Sequence, residues 1–543
     1  MAVARLDHVV LLCPKSELQT LLVRLSEFGQ YHPLEKDGLV QSIELLILSS
    51  KAQGIYSDAS HLLPENYLSE TVSSGTGIIT FDSKDPEHLI QLLSSELINL
   101  QSNVAKSDPS SRRNIYRKIE AIREAALSTF NNLRRVRFSF ESKRTYILEG
   151  YIPTKEANRF AELLGEFLIS YEPVGKDEAN EPYVPTLFSN RRGISLFENV
   201  TLVKGFPRYN EIDPTPVTAV VFPLFFGIMF SDLGQGIVLF LFGYLLARMF
   251  RGNYNYWGKL LMVLGSASAV IGLLRGLFFG FEFESPLRLF GSSHFPAVLA
   301  GGFSIASVIV WLEVSIIVGT FHLVTGYWMS LLNRLRSNDY AEAFLSGLPT
   351  ILLYSSAVPL TLALAGTNLE FGSLLTNRTP TPFFNELFGV NLPVYLVTEV
   401  SLPIFLVSLC VLVIGRAVIS YETNRGRLRM LRSVAMGLLD GLVKPFEFFM
   451  NTISYLRLGI LLVLGTILAT LSNEALGLGL IGIFAAVIGN IAVMAIEALM
   501  VYIQDLRLHA YEWLSNFYSG SGIPFEAITS KGLNFSIRWK TNP

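Results

Sequence analysis

A chain of 543 residues that is 50% hydrophobic, only 16% charged and nearly neutral at −2 overall is too apolar for an ordinary soluble enzyme. Its mean hydropathy of +0.41 is that of an integral membrane protein. The two cysteines, Cys13 and Cys410, exclude a disulfide framework and a Cys-rich metal site.

Most Lys, Arg, Asp and Glu fall in residues 1–210, and apolar runs make up the rest. The chain therefore divides into a soluble part, 1–205, a linker, 206–216, and a membrane part, 217–543. Asp7, Lys15, Glu17 and Glu27 interrupt the first 30 residues, so no signal-peptide core is present and the N-terminal part is expected to be cytoplasmic. Residues 5–12 read as a strand. Residues 15–29 read as an amphipathic helix, with Leu18, Leu21, Leu22 and Leu25 on one face and Gly29 closing it. A second αβ-like piece follows. Over 85–135, Leu89, Leu92, Leu93 and Leu97, then Ile115, Ile119 and Ile122, predict a helical hairpin or short coiled coil, interrupted at Ser107-Asp-Pro-Ser-Ser111. Residues 145–153 form a strand, and about 154–169 a helix. The stretch 171–216, rich in Pro, Asn, Gly and Glu and ending in Asn210-Glu-Ile-Asp-Pro-Thr-Pro216, is expected to be a linker to the bilayer.

Beyond it lie eight candidate spans, at about 217–231, 234–250, 258–281, 304–333, 342–366, 393–416, 433–472 and 479–517. The first two are short and joined by Ser231-Asp-Leu-Gly-Gln-Gly236, which makes one of them a candidate re-entrant segment. The last two greatly exceed the ~20 residues of a perpendicular span, which predicts strong tilt or extension past the bilayer. The fold class is thus an α+β domain with a helical hairpin, followed by an all-α polytopic membrane domain of about eight helices, the last two long and tilted. Arg248, Arg251, Lys259, Arg334, Arg336, Arg416, Arg425, Arg427, Arg429 and Arg432 fall in the loops assigned to the cytoplasm. The opposite loops carry Arg288 and Arg378, so both termini are expected inside after an even number of spans.

Ionisable residues inside the apolar runs carry the functional signal. Arginine keeps its proton at membrane depth and must face protein, water or a counter-ion, which singles out Arg457 and Arg507. Asp232, Arg275, Glu313, Glu399, Asp440, Lys444, Glu447, Glu497 and Asp505 are further candidates, with Asp440 and Lys444 placed to pair at i,i+4 and Arg275 a candidate partner for Glu313 or Glu399. Glu447 precedes Arg457 by ten residues and Glu497 precedes Arg507 by ten, in helices running oppositely. The two carboxylates would then lie at opposite depths about a positive centre, lining two half-paths that do not meet, and Gln504 extends the polar stripe. His322 and His509 lack a second ligand at metal spacing, so no metal is expected. Gly252-Asn-Tyr-Asn-Tyr-Trp-Gly-Lys-Leu260 fails as a phosphate-binding loop by one residue and by its missing Ser or Thr, so no ATP site and no cofactor are expected.

Tyr209-Asn-Glu-Ile-Asp-Pro-Thr-Pro216, Phe222-Pro-Leu-Phe-Phe-Gly-Ile-Met-Phe-Ser-Asp-Leu-Gly-Gln-Gly236, Ser454-Tyr-Leu-Arg-Leu458, Glu497 with Leu506-Arg-Leu-His509, and Phe517-Tyr-Ser-Gly-Ser-Gly522 resemble the membrane stator subunit of V-type and archaeal-type rotary ATPases, called subunit a or subunit I. The resemblance covers essentially the whole chain. It implies that Arg457, Arg507 and Glu497 carry ion translocation, with Glu447, Gln504, Ser454, Asp232 and His509 as secondary candidates. Ser231-Asp232 replaces the family's Gly-Asp pair. Gly465 stands where some eukaryotic members carry a His, so that residue's role is not inherited. The hairpin region is shorter than the family's usual coiled coil. Implied partners are a proteolipid ring, peripheral-stalk subunits, a central-stalk or ring-cap subunit and the lipid bilayer, in a cell membrane for a prokaryotic chain, with no nucleic acid. A self-contained secondary transporter and a purely structural anchor remain the alternatives from other classes.

Overall fold

The computed structural model describes residues 3–36, 38–64, 78–104, 109–250, 252–284, 305–367, 370–381, 392–423 and 427–540. Ser107 and Asp108 of the expected hairpin break, and Arg251, Arg288 and Arg425 of the loop charges, lie outside these residues.

The soluble part is built on a repeated strand-turn-helix unit. Strand β1 (Leu6–Pro14) buries Val9, Leu11 and Cys13 on one face and ends at Pro14 in a 3-10 turn, Lys15–Glu17, before α1 (Leu18–Phe28). Helix α1 buries Leu18, Leu21, Leu22, Leu25 and Phe28, and Gly29, at φ 71, ends it by donating its N–H to Leu25 O. Strand β2 is His32–Pro33. A 20-residue helix, α2 (Ile43–Leu62), fills the expected αβ-like piece and leads to strand β3 (Ile79–Ser83). Helices α3 (Pro86–Val104) and α4 (Pro109–Arg135) form the expected hairpin, and α2 packs on both. After β4 (Phe140–Glu141), the unit recurs as β5 (Thr145–Pro153), a 3-10 turn, α5 (Ala157–Leu164) and β6 (Leu168–Pro173). The helix expected over 154–169 is therefore shorter, because the chain re-enters the sheet.

Strands β1 and β5 pair antiparallel from Leu6 opposite Pro153 to Pro14 opposite Thr145, giving the order β2-β5-β1-β6 with β4 also on β5. Both helices cover the same face, where Phe28 meets Phe160 edge-on at 5.0 Å. Residues 171–216 are ordered by β7 (Pro185–Thr186), 3-10 turns and α6 (Glu198–Thr201) rather than being a plain linker.

The helical part comprises α7 (Thr215–Met229), α8 (Leu233–Met249), α9 (Asn253–Arg275), α10 (Ile305–Arg336), α11 (Tyr340–Glu342), α12 (Leu348–Gly366), α13 (Val394–Thr423), α14 (Arg427–Ser454), α15 (Leu456–Glu474) and α16 (Leu480–Arg507). Among the described residues, six helical segments are long and apolar enough to cross a membrane, whereas α7 and α8 are shorter. Two small hairpin strands, β8 (Leu277–Phe278) and β9 (Phe281–Glu282), follow α9. The long run expected at 433–472 is divided at Tyr455, so that Arg457 falls in the first turn of α15.

Glycines at every second turn let α8 and α9 pack backbone to backbone. Gly236 meets Gly265, Gly243 meets Gly258, and a Cβ at Gly272 would strike the backbone of Asp232 and Leu233.

The last residues, grouped by composition with the membrane part, return to the soluble part. Strand β10 (Ile523–Pro524) pairs with β7, and β11 (Phe535–Trp539) with β3. Ile528, Phe535 and Ile537 join the N-terminal core. The chain thus enters and leaves its helical region at one end.

Candidate functional site

Two of the sequence motifs meet where the soluble and helical parts join. Glu211 accepts the N–H of Ser519 at 3.1 Å, and Tyr518 donates its hydroxyl to Gly205 O at 2.6 Å. Asn333, near the end of α10, donates to Phe517 O and accepts the N–H of Ile212, both at 2.9 Å. Gly205 (φ +107) and Gly520 (φ +67) cross so closely that a side chain at either would strike the other strand's backbone. Asp213 accepts from the Thr215 N–H at 2.9 Å and from Asn190 at 2.8 Å, fixing the start of α7. These motifs build the joint that carries α7 and α16.

Helix α16 sorts its residues by face. Ile496, Met500, Ile503 and Arg507, at three-to-four spacing, are exposed, whereas Val501, Asp505 and Leu508 are buried. Glu497, on the inner side, projects at α15. Its Oε1 fills the space above Gly465 that a Cβ would otherwise take, and its Oε2 has no hydrogen-bond partner among the described residues. Gln504 Oε1 is likewise buried without such a partner. Glu497 and Arg507 therefore occupy different faces.

The α-helical hydrogen bonding of α16 gives way at Leu508–Trp513 to a π-helical turn. That turn brings Glu512 to Arg457, with Oε1 3.7 Å from Nη2. Glu512 is 6% exposed, and the Arg457 side chain 19%. Arg507 acts electrostatically on both. The sequence reading missed Glu512 because regular helical spacing from Arg507 gives no reason to join it to Arg457.

Behind this pair lies a buried cluster. His322 approaches Tyr455 OH at 2.9 Å through Nδ1, stacks on Trp513 at 4.6 Å between ring centres, and faces His509 at 4.9 Å. His509 Nδ1 in turn lies 3.2 Å from Asp505 Oδ1, and both residues are buried. The sequence reading dismissed His322 as a metal ligand but had no signal for this packing role. Among the described residues, no group of three or more His, Cys, Asp or Glu side chains surrounds a point that would hold a metal ion.

The remaining candidates are placed apart. Asp232 caps α8, accepting the N–H of Gln235 at 3.0 Å, of Phe279 at 2.9 Å and of Gly280 at 2.8 Å. Arg275, buried beside it, donates to Ser231 Oγ at 2.5 Å, reaches Thr466 Oγ1 at 3.4 Å and lies 5.6 Å from the Trp311 ring centre. Glu399 is exposed. Lys444 donates to Glu447 at 2.9 Å, and Ser454 Oγ donates to Met450 O at 3.1 Å. Arg457 and the newly found Glu512 thus form a pair on which Arg507 acts electrostatically, with Asp505 and His509 behind it, and Glu497 sits over Gly465 on the α15–α16 contact within electrostatic reach of Asp232 and Arg275.

Comparison with known proteins finds relatives of this chain. The V-type ATPase 116kDa subunit family matches residues 84–255. The A-type ATP synthase subunit I of Aeropyrum pernix is 27% identical over 73% of this chain and 59% of its own length, and that of Pyrococcus abyssi 28% identical over 72% and 54%. The A-type ATP synthase subunit I of Pyrococcus horikoshii is 24% identical over 96% of this chain and 74% of its own. The chain thus spans little more than half the length of the first two relatives. With a mixed α/β part followed by apolar helices long enough to span a bilayer, this chain has the make-up of an integral membrane protein, and it is similar to the V-type ATPase 116kDa subunit family over residues 84–255 and to A-type ATP synthase subunit I proteins over most of its length.

Proposed function

We propose that this chain is the ion-translocating stator subunit of a rotary A/V-type ATP synthase, moving protons against a ring of proteolipid subunits that each carry one mid-membrane carboxyl group. One observation carries the reading. The permanently charged guanidinium of Arg457 pairs with Glu512, and Arg507 acts electrostatically on both, beside an apolar face of α15 and α16 on which Ile460, Leu464, Ile496, Met500 and Ile503 are exposed.

In lipid, desolvation keeps a ring carboxyl neutral and able to travel, whereas beside Arg457 its ionised form is favoured and the proton leaves. Arg457 then separates loading from unloading. Glu497 lines the external half-channel and Glu447 the cytoplasmic one. Lysine is a poor substitute, because it gives up its proton when buried. In this reading all eight apolar helical runs cross the bilayer and the last two tilt along the ring. The N-terminal part is cytoplasmic and links to peripheral stalks and to the subunit capping the ring, in the cell membrane. The shared end at which the chain enters and leaves the helices supports an even number of crossings.

The test is ATP-driven acidification of vesicles carrying the purified complex, with wild type beside Arg457→Ala and assembly checked by co-purification of the ring. An assembled mutant that pumps nothing is expected. An assembled mutant that builds the wild-type gradient overturns the reading.

A further inference from the structure

We propose that Glu512 is the resident counter-ion of Arg457, a positioning residue that receives the guanidinium when a ring carboxylate departs and releases it to the next. This deepens the translocation reading and rests on it.

Arginine cannot shed its charge at membrane depth, so between two ring carboxylates it needs another anion. Glu512 is the acidic side chain paired with it, at 3.7 Å. That separation lies within ion-pair range but beyond an ordinary hydrogen bond, which compensates the charge without locking its geometry. Both partners keep spare capacity, since Arg457 Nη1 and Glu512 Oε2 are buried with no hydrogen-bond partner among the described residues. Arg507 acts on the same two groups.

The backbone is shaped for this contact. In a continuing α-helix, Glu512 would lie about 140° around the axis from Arg507. The wider π-helical turn at Leu508–Trp513 advances each residue by less and keeps Glu512 nearer the side of Arg507. Leu508, His509 and Trp513 of that turn are buried, so the surrounding helices hold it in place.

Without Glu512, Arg457 would hold each ring carboxylate longer, slowing every step without opening a leak. The whole complex is reconstituted in vesicles, and ATP hydrolysis, pumping and passive leak are measured per assembled ring. For Glu512→Gln, hydrolysis and pumping are expected to fall together by roughly tenfold with no added leak, and Glu512→Asp to recover part of the rate. Wild-type turnover in Glu512→Gln overturns the inference, as does a loss confined to the yield of assembled complex. Should Glu512→Gln fail to assemble, Glu512→Asp decides, and a wild-type rate there also overturns it. Arg457→Ala runs in parallel. If it pumps, the translocation reading itself has failed; if it is dead while Glu512→Gln is normal, only the inference has.

Discussion

The soluble and helical parts differ in where their close polar contacts lie. In the soluble part several pairs are closely matched, although buried atoms of Tyr31, His32, Glu120 and Trp539 have no hydrogen-bond partner among the described residues. Thr154 donates to Asp7 at 2.6 Å, Tyr151 to Glu178 at 3.0 Å, and Asn534 to Glu124 at 2.8 Å. In the helical part, Arg457 and Glu512 stand 3.7 Å apart, and buried oxygens of Glu497, Gln504, Asp505 and Glu512 have no hydrogen-bond partner among the described residues. Unsatisfied buried polar groups are costly, so they persist where something other than stability maintains them.

The contrast has an exception on each side. Within the helical part, the α7–α9 corner is as tightly determined as the soluble core, through the glycine contacts and Asp232. Gly272→Leu is expected to have the largest effect. Its side chain would strike the backbone of Leu233, force α8 and α9 apart, and leave no purifiable complex by co-purification with the ring. Asp232→Ala strips the acceptor from three backbone N–H groups. We expect a loss on the order of 4 kcal/mol, read as earlier thermal inactivation of the complex, with Asp232→Asn milder because one acceptor oxygen remains.

Within the soluble part, the C-terminal return depends on a buried imidazole. His32 Nδ1 accepts the N–H of Glu526 at 3.0 Å, and burial, aided by Arg135, holds its pKa at about 4, below the usual 6.5. The folded form thus binds a proton less readily than the unfolded one. Its contribution is complete above about pH 6.5 and is lost as pH falls towards 4, amounting to roughly 3 kcal/mol. Amide exchange over residues 523–540 should accelerate across that window, and His32→Gln should flatten the dependence. The smallest effect belongs to Lys444, whose pair with Glu447 is partly exposed. Lys444→Ala should shift thermal stability by less than about 1 kcal/mol, and a larger change would place that pair with the tightly matched group.

Local pattern made much of this legible. Alternation in Leu6–Pro14 and Thr145–Pro153, the leucine face of α1 and the apolar runs are properties of short windows. So is the oddity of Arg457 and Arg507, because a permanent charge in an apolar run is costly wherever the rest of the chain goes. What escaped was set by partners. The helix expected over 154–169 stops at Leu164 because the next residues add strand β6 to β1. The long 433–472 run breaks at Tyr455, whose buried hydroxyl meets His322 from α10.

By itself, then, the sequence determined an α/β part, an apolar helical part and two arginines that require an explanation, since hydropathy, periodicity and fixed charge act over a turn or two. Tertiary structure alone decided that Glu512 faces Arg457, that Glu497 rests in the gap left by Gly465, and that Phe535–Trp539 closes on Ile79–Ser83. Those contacts join residues far apart in the chain, and their existence depends on a π-helical turn, a missing side chain and a strand edge that only the packed molecule brings into register.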